Sequence, residues 1–251
     1  MKTNKFMVAG VLLASAVLLN TTTYVEVEAT EYTSNGAIEF EPDSSVTNPV
    51  DPTDPERPVT PIDPTDPEGP QTGTAGPLSI DFASSFQFGK QLITTETKNY
   101  KAELQEFSDG TVGPNYVQVT DKRGTQAGWA LSVVQNGQFK TAEDEELEGA
   151  ELSINFGASA SIMSDDIAPE ITHSHAFIPN REITLVNAEA RKGMGTWVYK
   201  FGEDAVEGAD AINLNVPGRA VKLAKEYRTT LTWKLSDVPD ATFGQEAIDN
   251  E

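Results

Sequence analysis

Two tryptophans in this chain lie in the same short pattern, a tryptophan followed two residues later by a leucine. Trp129 and Leu131 form the first copy, within the segment GWALSVVQ. Trp233 and Leu235 form the second copy, much later in the chain, within TTLTWKLSDVP. A flat indole face can stack on the apolar face of a sugar ring, and an indole among leucines can instead fill a protein core. The two copies are therefore either a carbohydrate-binding site used twice or two pieces of one core.

The alternation of residues around the second copy favours the core. Side chains at every second position of a strand share one face, which places Trp233 with Leu231 and Leu235. Thr232 and Lys234 then take the opposite face, and this apolar-in, polar-out pattern is typical of a strand with one buried side. One buried tryptophan removes on the order of 200 Å² from water, which is worth several kcal/mol at about 25 cal/mol per Å². We therefore predict that Trp233 faces a core.

The first copy and the third tryptophan fit the same interpretation less sharply. Trp129 shares its face with Leu131 and Val133, but the opposite face of this stretch is also fairly apolar. Trp197, within GTWVYKF, shares its face with Tyr199. Direct contact with a ligand therefore stays open as the alternative for all three tryptophans. The candidate binding residues are Trp129, Leu131, Trp197, Trp233 and Leu235.

Elsewhere the sequence offers few groups that could catalyse a reaction or hold a metal. It contains no cysteine, so neither a disulfide nor a cysteine-based metal site can form. His173 and His175 are its two histidines, and two histidines without a third ligand make half of a zinc site at most. The G-x-S-x-G pattern of many serine hydrolases is also missing. We predict no catalytic residue, no metal and no cofactor, and therefore a protein that is not an enzyme.

The charge argues against one class of partner. Acidic residues number 39 against 18 basic ones, which gives a formal net charge of −21. Nucleic-acid-binding proteins normally present a basic surface to the phosphates, so we expect no nucleic-acid partner. Anionic surfaces also repel the chain at long range, although salt screens that repulsion beyond roughly 10 Å. Attachment to such a surface must depend on short-range contacts.

Residues 1–29 have the features of a signal peptide. Lys2 and Lys5 form a basic start, and an apolar stretch follows at 7–20. This stretch is too short to span a bilayer comfortably, and Val27-Glu28-Ala29 resembles a cleavage site. We expect cleavage after residue 29, secretion and no direct membrane insertion. No covalent sorting signal is recognisable near the C-terminus, so we expect non-covalent attachment if the protein stays at the cell surface.

Residues 42–77 form an acidic, proline-rich segment with a near-repeat, PVDPTDPERP and then PIDPTDPEGP. Proline fixes φ and disfavours a helix at the preceding residue, which favours an extended polyproline II-like backbone. The segment is therefore expected to be a semi-rigid linker or long loop. Residues 30–41 before it contain one candidate strand, GAIEF at 36–40. Because an isolated strand is not stable, we expect this one to pair into the sheet of the later domain.

From residue 78 to residue 251 the chain has the pattern of one β-domain. Period-two runs recur there, with turn dipeptides such as Asp109-Gly110 and Asn136-Gly137 between them. The fold class that follows is all-β: a single antiparallel β-sandwich or barrel-like domain with a long proline-rich loop or linker. The candidate strands lie at 78–82, 115–121, 128–135, 151–157, 182–188, 195–201, 211–217 and 226–236.

Five blocks of sequence, taken in order, resemble the WxL domain of surface proteins from low-GC Gram-positive bacteria. They are GPLSIDFASSFQFGKQ, YVQVTDKRGTQAGWALSVVQ, LEGAEL, KGMGTW and TTLTWKLSDVP. Both Trp-x-Leu motifs that give the family its name lie within these blocks. The GAIEF stretch and the DPTDP repeats upstream also look typical of the family.

The resemblance implies a secreted, non-catalytic protein at the cell surface, held non-covalently in the cell wall through peptidoglycan. It also implies a multiprotein surface complex with a membrane-anchored protein of the same gene cluster and with other WxL proteins. The alternative is a protein–protein interaction module that grips the membrane-anchored partner and reaches the wall only indirectly.

Overall fold

The computed structural model describes residues 30–66 and 68–244, so the predicted signal peptide at 1–29 lies outside the described residues. The chain divides into two units, residues 1–39 and residues 40–251. In the first unit, the described residues 30–39 form no helix or strand. Within the described part of the chain, no helix has the length and apolarity that a bilayer crossing requires.

The regular secondary structure of the second unit consists mainly of strands. Among the described residues it has one α-helix, α1 (Ala205–Ala211), which begins where the Asp204 carboxylate accepts the backbone N–H groups of Val206 and Glu207, and one 3-10 helix at Asp165–Ile167. The strands of the described residues are β1 (Val50–Asp51), β2 (Asp54–Pro58), β3 (Leu78–Ala83), β4 (Lys98–Lys101), β5 (Gln105–Glu106), β6 (Val112–Gly113), β7 (Tyr116–Asp121), β8 (Trp129–Gln135), β9 (Glu151–Ile154), β10 (Gly157–Ala160), β11 (Glu170–Ile171), β12 (His175–Ala176), β13 (Glu182–Ala188), β14 (Gly195–Phe201), β15 (Ile212–Val216) and β16 (Leu231–Ser236).

Three antiparallel sheets of four strands carry the fold. Their strand orders are β10-β14-β7-β3, β11-β13-β8-β16 and β12-β9-β15-β4, and β1-β2 and β5-β6 form two small hairpins. The first two sheets pack face to face, with β10 against β11 at one side and β3 against β16 at the other. The predicted all-β antiparallel sandwich is confirmed, and among the described strands no sheet closes into a barrel.

Side chains from all three sheets meet in one core, because alternate residues of each strand point inward. Every one of the eight predicted strand positions contains a strand, and the runs at 182–188 and 195–201 coincide with β13 and β14. The run at 151–157 is interrupted at Phe156, whose φ is 55°, and continues as β10. Core members of the two facing sheets are Val117, Val119, Trp129, Leu131, Val133, Leu185, Val186, Trp197, Tyr199 and Phe201.

The proline-rich segment folds back as a hairpin and does not run as an extended spacer. Strands β1 and β2 pair, and Asp51 lies at the turn between them. The Asp51 carboxylate accepts the Thr53 backbone N–H at 2.7 Å and its hydroxyl at 2.8 Å, and it forms an ion pair with Arg57. An aspartate that bonds the backbone two residues on is a common turn signal, so the Asp-Pro repeats bend the chain here.

Contacts with the sandwich hold this hairpin in place. The buried Gln118 of β7 accepts the Val50 N–H at 2.8 Å and donates to the Asn48 carbonyl at 3.1 Å. Val50 and Val59 pack against a second apolar cluster on the outer side of the first sheet. That cluster consists of Phe82, Phe107, Tyr116 and Val198. The acidic repeat therefore covers part of the domain, which its composition did not suggest.

Residues 36–40 have no regular secondary structure of their own, and Ile38 and Phe40 are 79% and 85% exposed. The alternation of GAIEF indicates a strand-like backbone, but it does not identify a partner strand. The expectation that this segment pairs into the sheet of the later domain stays a prediction.

Removing the amide of Gln118 is expected to loosen the hairpin. The change Gln118→Ala leaves the Val50 N–H and the Asn48 carbonyl without their partner, at a cost of about 1–3 kcal/mol. The melting temperature should fall by several degrees, and protease cleavage within residues 50–60 should accelerate. Gln91→Ala is the matched control, because Gln91 is exposed and its amide donates only to the Phe88 carbonyl. Equal melting temperatures for the two variants would contradict the docked hairpin.

Candidate functional site

The two Trp-x-Leu motifs lie on neighbouring strands of one sheet. Strand β16 pairs antiparallel with β8, so that Leu235 is opposite Leu131 and Trp233 is opposite Val133. The motif side chains therefore form adjacent rows on the inner face of the sheet. Both motifs point toward the core, as the alternation around Trp233 predicted. The two motifs are neighbours in the sheet although they are far apart in sequence.

Trp129 and Trp197 are enclosed by protein on all sides. Trp129 is 1% exposed, and its indole N–H donates to the Gly193 carbonyl at 2.9 Å. Trp197 is 3% exposed, and its indole N–H donates to the Met194 carbonyl at 3.1 Å. Both polar groups are satisfied by the same loop, 192–195, so neither indole has a face or a donor left for a ligand.

The loop reaches Trp129 only because it contains glycine. Gly193 has a φ of 74°, and a Cβ placed there would lie 2.4 Å from the indole nitrogen of Trp129. Gly195 has a φ of 90°, and a Cβ there would lie 2.8 Å from Met163. This loop, KGMG, is therefore a close-fitting cover over Trp129, and a side chain larger than hydrogen at position 193 does not fit beneath it.

The opposite side of the same sheet carries a polar surface, here called the polar face. Lys234 forms an ion pair with Glu182 of β13, and the Ser132 hydroxyl donates to the same carboxylate at 2.6 Å. The ammonium group, followed by the hydroxyl, lowers the pKa of Glu182 below its usual value. The face comprises Ser132, Asn136, Glu182, Thr184, Thr232 and Lys234.

Hydrogen bonds order the two ends of the polar face. The Asn136 amide donates to the hydroxyls of Thr230 and Thr232, both at 2.8 Å. At the other end, the Thr184 hydroxyl donates to the Asp240 carboxylate at 2.6 Å, and this bond lowers the pKa of Asp240. The face thus offers a fixed array of hydroxyl, amide, ammonium and carboxylate groups. Such an array can exchange hydrogen bonds with a polar, uncharged ligand such as a glycan.

The histidines are placed in structural roles. His173 Nδ1 lies 2.7 Å from the Gly157 carbonyl, and the His175 ring meets the Phe177 ring edge to face at 5.4 Å. Within residues 30–66 and 68–244, no group of three or more histidine, aspartate or glutamate side chains is arranged to hold a metal ion.

Comparison with known proteins identifies the family. A family model for the WxL domain, described as a surface cell wall-binding domain, matches residues 27–239. The chain belongs to the WxL family. Its resemblance to WxL surface proteins is thereby confirmed, and the WxL domain places the protein at the cell surface in association with the cell wall. No curated protein and no solved structure gives a significant match.

The two WxL motifs differ in how completely they are covered. Trp129 and Leu131 lie on β8, between β13 and β16, and are buried. Trp233 and Leu235 lie on β16, at the edge of the sheet, and are only half-buried against the same core. Among the three tryptophans, Trp233 alone keeps solvent-accessible surface. Both copies have the same Trp-x-Leu pattern, but the central strand β8 buries its tryptophan and leucine more completely than the edge strand β16 does.

Alanine at position 193 should disrupt the cover over the first motif. Gly193→Ala introduces a Cβ at a positive φ and into contact with the Trp129 indole, so the melting temperature should fall by several degrees. Gly137→Ala is the control, because Gly137 has a φ of 80° with no atom within 4 Å of the added Cβ. Both variants share the backbone strain, and the excess loss in Gly193→Ala measures the clash. Equal losses would contradict the close contact.

Acrylamide quenching of fluorescence should separate the tryptophans. Trp233→Phe should remove the quencher-accessible part of the emission, because the remaining indoles of Trp129 and Trp197 are buried. Trp129→Phe should leave that accessible part in place. Quenching that persists in Trp233→Phe would show that a motif tryptophan on β8 or β14 is exposed.

Proposed function

We propose that the protein binds peptidoglycan non-covalently through the polar face, as a non-catalytic protein of the cell surface. The observation that carries the proposal is the position of this face: it is the outer side of the sheet that holds both WxL motifs of a cell wall-binding domain. The motif tryptophans support the face from beneath. On this view the candidate residues Trp129, Leu131, Trp197, Trp233 and Leu235 shape the binding surface and do not stack on sugars.

The chemistry of the polar face suits a glycan better than a polyanion. Sugar hydroxyl and acetamide groups are neutral donors and acceptors. The half-buried Thr184 hydroxyl donates to Asp240 and keeps lone pairs that can accept, and the exposed Thr232 hydroxyl accepts from Asn136 and keeps its hydrogen to donate. The whole chain carries a net charge of −21. Long-range attraction to anionic wall polymers is therefore ruled out as the source of affinity, and short-range hydrogen bonds must supply it.

The proposal extends to secretion and to partners. The basic and apolar pattern of residues 1–29 supports export by a signal peptide. The resemblance to WxL surface proteins supports a place in a multiprotein complex with a membrane-anchored protein of the same gene cluster and with other WxL proteins. The second candidate, a module that grips this partner and touches the wall only through it, is favoured by the exposed edge strand β16.

Pelleting with purified peptidoglycan tests the function. The mature chain is mixed with sacculi that have been stripped of proteins and of anionic polymers, and bound and free protein are separated by centrifugation. Binding to this material is expected, because no partner protein is present. Protein left wholly in the supernatant would contradict direct wall binding and favour the partner-gripping module.

A pair of charge reversals tests the polar face itself. Lys234→Glu places two carboxylates side by side at Glu182, so binding to sacculi should weaken about tenfold, equivalent to about 1.4 kcal/mol. Lys140→Glu is the matched control: its side chain is 51% exposed and paired with Asp144, against 52% and a pairing with Glu182 for Lys234. Both variants change the net charge equally. Equal loss in the two would show that binding lies elsewhere.

A further inference from the structure

The chain that follows β16 crosses back over the polar side of its own sheet. Residues 237–243, here called the strap, leave β16 at Ser236, whose hydroxyl accepts the Val238 N–H at 3.2 Å. Ser236 is opposite Ala130 of β8, and Ala130 is opposite Asn187 of β13. Side chains that are directly opposite in a sheet lie on the same side of it, here the side of the polar face.

Three hydrogen bonds fasten the far part of the strap to β13. The Asn187 amide donates to the Asp240 carbonyl at 3.2 Å, and its oxygen accepts the Asp240 N–H at 2.8 Å. The Thr184 hydroxyl donates to the Asp240 carboxylate at 2.6 Å. The same carboxylate accepts the N–H and the hydroxyl of Thr242 at 2.9 and 2.7 Å, which fixes the turn of the strap. Because the strap starts at β16 and is bonded to β13, it passes over the middle strand, β8.

The strap covers one row of residues and leaves the rows beyond it accessible. Ala130 is 6% exposed and Asn187 is 4% exposed, although both lie on the outer side of the sheet. Two rows away on the same side, Thr232 and Glu182 are exposed, and Val134 between them is half-buried. The polar face is therefore closed at the strap and open away from it.

The open part of the polar face is short. Along β8 it extends from Ser132 to Asn136, which is about 14 Å at 3.4 Å per residue, and across three strands it measures about 10 Å. Val134 offers an apolar spot at its centre, and the polar side chains surround that spot. Sites for small ligands commonly combine apolar surface with a few fixed polar groups. A glycan laid along the strands fills this stretch and then meets the strap.

We propose that the strap is the end wall of the glycan site, and that Asp240 sets the length of glycan that the polar face binds. This inference rests on the proposed binding of peptidoglycan through that face. Asp240 acts here as a positioning residue, because it holds the strap over the row of Ala130. A disaccharide fits the open part, whereas a tetrasaccharide exceeds it, so sugars beyond the wall gain no contact with the sheet.

Releasing the strap tests the proposal. The double variant Asp240→Ala with Asn187→Ala removes all three bonds to β13. Asp237→Ala is the matched control, because Asp237 is an exposed acidic residue of the same strap whose carboxylate makes no hydrogen bond among the described residues. The double variant and the control change the net charge equally.

Hydrogen exchange first checks the release. Amide exchange in the strap should accelerate in the double variant and stay at the wild-type rate in Asp237→Ala. Unchanged exchange in the double variant would contradict the attachment through Asp240. Far-UV circular dichroism checks the fold, and Asp240→Ala alone replaces the double variant if the latter is unfolded, since Asp240 is only half-buried.

Titration with glycan fragments then measures the length preference. Fragments from a partial muramidase digest of peptidoglycan are separated by length and titrated by calorimetry. The gain in affinity from disaccharide to tetrasaccharide should be about fivefold larger in the double variant than in the wild type and Asp237→Ala, the value of one additional hydrogen bond. The same gain in all three chains would overturn the proposal, and so would a wild-type affinity that keeps rising from tetrasaccharide to hexasaccharide.

The outcomes separate this inference from the proposed function. A wild type that pellets with sacculi but shows the same length profile as the double variant binds the wall without an end wall. Pelleting without any binding of fragments also overturns the inference and leaves wall binding in place. A wild type that stays in the supernatant contradicts both.

Discussion

The hydrogen bond from the Trp129 indole to the Gly193 carbonyl constrains much of this sandwich. A buried indole N–H without an acceptor is costly, so the loop that leads into β14 must pass directly over β8. That crossing brings the two facing sheets to a fixed separation. Trp197 fills the space beside Trp129 and bonds to the same loop. One donor group therefore couples the first WxL motif, the glycine loop and the facing sheet.

The sequence predicted the strands well where alternation was long, as at 182–188 and 195–201. It failed where the outcome depended on a distant partner. From sequence alone the Asp-Pro repeats look like a spacer. In the structure they contact Gln118 and an apolar cluster on the outer face of the sheet. The seven-residue helix α1 was missed because so short a run has no clear period.

The candidate site could be predicted only in part, because some of its features also depend on residues that are far apart in the sequence. Alternation placed Thr232 and Lys234 on a polar side and Trp233 on a core side. The register that brings Glu182 beside Lys234 joins residues of different strands, and no local pattern contains it. The incomplete burial of Trp233 also depends on strand order, since an edge strand has a neighbour on one side only. The Trp-x-Leu motifs therefore predicted that both tryptophans contribute to a core. They did not predict how much of each tryptophan is exposed to solvent.

The Asp43 anchor adds a second attachment to the docked hairpin. Its N–H bonds to the Lys122 carbonyl, and its carboxylate pairs with the Lys122 ammonium at 2.8 Å. Lys122 follows β7, and Gln118 within β7 holds Asn48 and Val50. The residues between Asp43 and Val50 are therefore fixed at both ends against one strand. A cut within that stretch would leave both pieces attached to the sandwich, so the chain could be nicked there without losing its fold.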